Sequence, residues 1–80
     1  MLTLKNIKIE DGIAEADFYP EDSQECGHIV VDTKAGQWGK IISCVHMEEY
    51  GEMYSAHAWM HLVELAKSGD NRTFSRVMWY

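Results

Sequence analysis

The sequence predicts an α+β fold, an antiparallel β-sheet of about five strands in the order β-β-β-β-α-β with one amphipathic helix packed on one face. Three observations carry this prediction. Apolar residues alternate at period two on both sides of Asp11-Gly12, the period lengthens to that of a helix from about Glu52, and a strand-like composition returns from Phe74 to Tyr80.

Leu4, Ile7 and Ile9 lead into Asp11-Gly12, and Ala14, Ala16 and Phe18 follow it. Glycine supplies the positive φ of a primed hairpin turn, so this is the strongest local signal in the chain. Leu2 and Leu4 are out of phase with Ile7 and Ile9; a bulge near Lys5-Asn6, or a strand that starts after Leu4, must restore the register. Pro20 closes the second strand because it has no N–H for the ladder, and Glu21 to Gly27 reads as a polar loop.

His28 to Asp32 is a third strand with Ile29 and Val31 on one face. A turn over Thr33 to Gln37 leads to a fourth, from about Trp38 to Val45. From about Glu52 to Ser68, Ser55, Ala58, Trp59, Leu62, Leu65 and Ala66 fall on one helical stripe. Glu48, Glu49 and Glu52 at its start, Lys67 in its last turn and Gly69 beyond suit the macrodipole and a left-handed C-cap. Asp70-Asn71 turns into the last strand, where Val77 and Trp79 form a core-facing pair. With the helix as return path, this strand lies beside the first and gives the spatial order 4-3-2-1-5.

The pattern fills residues 1–80 as a single domain. A chain of this length buries only about 60% of the surface its unfolded form exposes, so the core is thin. Its 46% hydrophobic content and single proline are those of a folding chain, not a disordered one. Two cysteines, the lack of an apolar export segment and the lack of a spanning run predict a cytoplasmic protein with reduced thiols and no membrane association. Seven basic against thirteen acidic residues leave a net charge of −6, the wrong sign for direct nucleic-acid binding.

Residues that could carry chemistry are few. Cys26-x-His28 and Cys44-x-His46 offer thiolate and imidazole, the usual zinc ligands, but structural zinc sites place two or four residues between paired ligands. His57, His61 and Glu64 share a helix face opposite the Leu62–Leu65 stripe, which reads as a solvated face but could hold a divalent ion. The glutamate that directly follows the first histidine of a hydrolytic zinc helix is missing. Nucleophile elbow, phosphate-binding glycine loop and dinucleotide fingerprint are all lacking, so the expectation is no enzyme, no metal and no cofactor.

A single helix leaves the second face of the sheet open. Glu15, Asp17, Tyr19, Val30, Asp32 and Trp38 are the residues expected there, aromatic and aliphatic anchors in an acidic field. The expected function is a small non-enzymatic module that binds a protein partner or forms a homodimer. Two alternatives stand beside it: a zinc-binding or hydrolytic protein, and an acidic mimic of nucleic acid built on Glu10, Asp11, Glu15, Asp17, Glu21, Asp22 and Glu25.

Overall fold

The chain pairs its strands as the hairpin signal requires. The computed structural model describes residues 1–21, 23–45 and 53–78. The elements are β1 (Leu2–Glu10), β2 (Ile13–Pro20), β3 (Gly27–Asp32), β4 (Lys40–Val45), α1 (Met53–Ser68) and β5 (Phe74–Val77). Every neighbouring pair is antiparallel, and the sheet order is β4-β3-β2-β1-β5 with α1 across one face.

The phase slip in β1 is a bulge. Lys5 pairs with Asp17 and Lys8 with Glu15, so Asn6 and Ile7 share the place opposite Ala16. Asn6 takes φ 55°, which asparagine tolerates better than most residues. The inserted residue returns Ile7 to the core beside Leu2 and Leu4, and leaves Lys5 and Lys8 on the opposite face. A second bulge at Ile42 lets Ile41 and Cys44, three apart, both pack against the core.

Among the described residues the core is one cluster. Leu2, Leu4 and Ile7 of β1, Ala14, Ala16 and Phe18 of β2, and Ile29 and Val31 of β3 meet Ala58, Leu62, Val63 and Leu65 of α1. The two β2 alanines keep the sheet low under the helix. Phe18 pairs with Gly27 and lies across it: a Cβ at Gly27 would stand 2.2 Å from the Phe18 ring. Val77 packs against the core from β5, as expected, while Trp79 and Tyr80 lie outside the described residues.

Two expectations are corrected. The fourth strand begins at Lys40 rather than Trp38, because Gly36 and Gly39 take φ 77° and 72° and break the extended run. The buried stripe of α1 includes Val63, with Trp59 and Ala66 only at its border. The turn before β4 supplies the reason: the Gly39 backbone reaches over the helix, so near Val63 that a Cβ there would lie 3.4 Å from Cγ2. The first turn of α1 holds no acid, and Glu48, Glu49 and Glu52 lie outside the described residues.

Candidate functional site

On the face that α1 leaves uncovered, strand pairing sorts the side chains into rows. One row runs Phe74, Lys5, Asp17, His28, Val45 across all five strands. The next runs Lys8, Glu15, Val30, Ser43, and on the other side lie Arg76, Thr3 and Tyr19. Asp32 stands between Ile13 and Lys40. The sheet therefore brings together Glu15, Asp17, Tyr19, Val30 and Asp32.

Trp38 is not among them. It lies in the turn before β4, on the helix side, where its carbonyl accepts the Trp59 indole N–H at 3.0 Å. Its side chain is 63% exposed and forms one wall of an apolar cleft of about 260 Å³ with Trp59, Met60 and Val63. The two left-handed glycines take Trp38 out of strand alternation, which period-two spacing alone does not reveal.

Opposite charges stand side by side on this face. Lys5 and Lys8 of β1 lie beside Asp17 and Glu15 of β2, Arg76 of β5 flanks Thr3, and Glu10 of β1 and Lys40 of β4 share the row of Asp32. Asp17 accepts a hydrogen bond from Asn6 Nδ2 at 2.9 Å and lies 2.7 Å from His28 Nδ1. These two contacts, Asn6 first, hold its carboxyl below the usual aspartate value. Glu15 lies 3.6 Å from His28 Nε2. The lysines lean away from the acids opposite them. Lys5 places its ammonium 4.7 Å from the centre of the Tyr19 ring, and Lys8 pairs with Glu10 at 3.5 Å. Tyr19 in turn meets Cys26, and that hydrogen bond raises the phenol above its ordinary value.

Lysines directly opposite Glu15 and Asp17 interrupt the run of acids that suggested a nucleic-acid mimic. Elsewhere in that run, Glu21 binds the amino terminus and accepts the Tyr54 hydroxyl at 2.7 Å, while Asp22 lies outside the described residues. The described members of the four-ligand zinc arrangement do not converge. Cys44 pairs with Ile29 and faces the core, His28 faces the open side, and His46 lies outside the described residues. Among the described residues no three of His, Cys, Asp and Glu converge as metal ligands.

The helix triplet is also rearranged. His61 does not lie on a solvated face: its Nε2 shares a 2.7 Å hydrogen bond with Ser75 Oγ of β5, and burial lowers its pKa. Glu64, 75% exposed, stands 4.0 Å from His61 Nδ1. Serine, histidine and glutamate thus fall in the sequence of contacts that nucleophilic catalysis uses, a juxtaposition that residues 14 apart did not reveal. Ser75 is only 5% exposed and does not line the cleft of about 390 Å³ that His57, Met60, Arg76 and Met78 form alongside. Its hydroxyl is placed to fasten β5 to the helix rather than to meet a substrate.

Among the described residues, no helix is long and apolar enough to cross a membrane. Comparison with known proteins finds no matching family model, no matching curated protein and no matching solved structure.

Proposed function

We propose that this chain is a non-enzymatic binding module that docks a protein through the uncovered face of its sheet. The observation that carries this reading is the pairing of Lys5 with Asp17 and of Lys8 with Glu15 across β1 and β2 on that face, with Tyr19, Val30 and Phe74 set among the charges. Ordered opposite charges orient a partner and speed its approach, while aromatic and aliphatic side chains supply area that can be dried. Phe74 is 49% exposed on a five-strand platform backed by a buried core. A site for chemistry has weaker support, because the nearest candidate nucleophile, Ser75, is shut beneath α1.

The test is a double substitution, Glu15→Lys with Asp17→Lys, compared with the wild type by size-exclusion chromatography in extract of the native host. Wild-type chain should elute as a complex larger than its own 9.2 kDa, and the variant should not. A variant that keeps the same complex removes this face as the site.

A further inference from the structure

We propose that the occupant of the open face is a second copy of this chain, stacked sheet on sheet about a two-fold axis that runs along the strands between β1 and β2. This rests on the reading of that face as the docking surface and names its partner. The strand register sets the charges in matched rows. Lys5 stands directly beside Asp17, and Lys8 beside Glu15, across the β1–β2 boundary. A two-fold axis along that boundary exchanges β1 with β2 and β5 with β3 while keeping each row at its own level. Each Lys5 then faces the other copy's Asp17, and each Lys8 faces its Glu15. In the same row Phe74 meets the other copy's His28, and one row away Thr3 meets Tyr19.

The arrangement depends on the bulge at Asn6. Without it, residues 5 and 8 would alternate to opposite sides of β1, and only one lysine would stand on the open face. It also uses side chains that are within reach of a partner, since Lys5 and Lys8 lean on Tyr19 and Glu10 rather than on the acids opposite. The two-fold axis leaves β4 outside the overlap, so four strands about 4.8 Å apart meet over roughly 20 Å of their length, a footprint of roughly 400 Å² per copy, about half the ~800 Å² of a standard interface and in keeping with a weak dimer. Two aligned sheets whose inner faces meet form a sandwich, a stable way to cover an open sheet. Half-exposed ion pairs contribute little each and are screened by salt, so the dimer is weak and salt-sensitive.

Sedimentation velocity of the purified wild type, from about 10 µM to about 1 mM, tests this at about 20 mM and about 500 mM salt. The expected result is a concentration-dependent shift to twice the monomer mass at low salt, with association at least tenfold weaker at high salt. Two variants then test the register: Glu15→Lys with Asp17→Lys, and Lys5→Glu with Lys8→Glu. Each alone should remain monomeric, and an equimolar mixture should form a heterodimer, because the exchange restores every opposed pair. Reversal sets like charges side by side within one sheet. If circular dichroism shows either variant unfolded, Glu15→Gln with Asp17→Asn replaces the pair and should weaken the dimer at least tenfold. A wild type that stays monomeric at about 1 mM in low salt, or a dimer indifferent to salt and to these substitutions, overturns the proposal. Monomer alone together with a complex in host extract overturns only the second copy as occupant; monomer in both overturns the docking face itself.

Discussion

Lys5 and Lys8, three residues apart on one strand, stand on the same face of the sheet because Asn6 between them adopts φ 55°. A regular strand would place them on opposite faces. The bulge therefore does two things at once: it returns Ile7 and Ile9 to the core side, and it gives β1 two cations beside the acids of β2.

That relation is testable by substitution at Asn6. A β-branched side chain is strained at positive φ, so Asn6→Val should destabilise by about 1 to 2 kcal/mol. Asn6→Gly keeps the conformation and loses only the hydrogen bond to Asp17, and should be milder. Thermal melts of the two variants provide the check. Equal losses would show that the hydrogen bond rather than the backbone conformation sets the cost.

Helix orientation gives a second prediction. Leu62 is fully buried among core residues, and Leu62→Ala should cost about 2 to 5 kcal/mol in chemical denaturation. Glu64→Ala, on the solvent side, should change stability by less than about 0.5 kcal/mol. Comparable losses at the two sites would mean that α1 is rotated about its axis from the orientation described.

Gly27→Ala tests the Phe18 contact. Its new Cβ would stand 2.2 Å from the Phe18 ring and 2.5 Å from the Val45 carbonyl oxygen, on both sides of β3. The expected loss is about 1 to 3 kcal/mol, with near-ultraviolet circular dichroism reporting displacement of the ring. Gly36→Ala meets no neighbouring atom and carries only the strain of its φ of 77°, so it should cost less.

The His61–Ser75 contact predicts a pH dependence. Burial holds the His61 pKa below its ordinary 6.5, so the unfolded chain takes up a proton more readily than the folded one. The stability that this group contributes is full above pH 6.5 and falls as pH drops through the lower folded value. Glu64 and Asp70 oppose that shift, and Arg72 reinforces it. The difference in melting temperature between wild type and His61→Gln should change as pH falls from 7 to about 5, with the wild type losing more. Parallel profiles would remove His61 as the source.

Much of the fold was legible because its signals were local. Asp11-Gly12 marked the hairpin, the slip between Leu4 and Ile7 marked the bulge, and a helix between the fourth and fifth strands sent β5 back beside β1. The errors came from long-range packing. Val63 was left out of the helical stripe, yet it is part of the core, where the turn carrying Gly39 also reaches it. His61 looked solvated until β5 arrived with Ser75, and Trp38 looked like a strand residue until two glycines turned it toward α1. Five of the six residues expected on the open face follow from strand alternation alone. Their charge partners Lys5, Lys8 and Arg76 required the pairing register, which the separate strands do not specify.

Amide NMR of ¹⁵N-labelled chain shows residue by residue whether the uncovered sheet face is the binding surface. Spectra in buffer would be compared with spectra in native host extract and at high protein concentration. Shifts or broadening should be confined to Thr3, Lys5, Lys8, Glu15, Asp17, Tyr19, His28, Val30, Phe74 and Arg76, with the amides of α1 unchanged. Perturbation centred instead on Trp38, Trp59 and Met60, or an unperturbed sheet under both conditions, would contradict it.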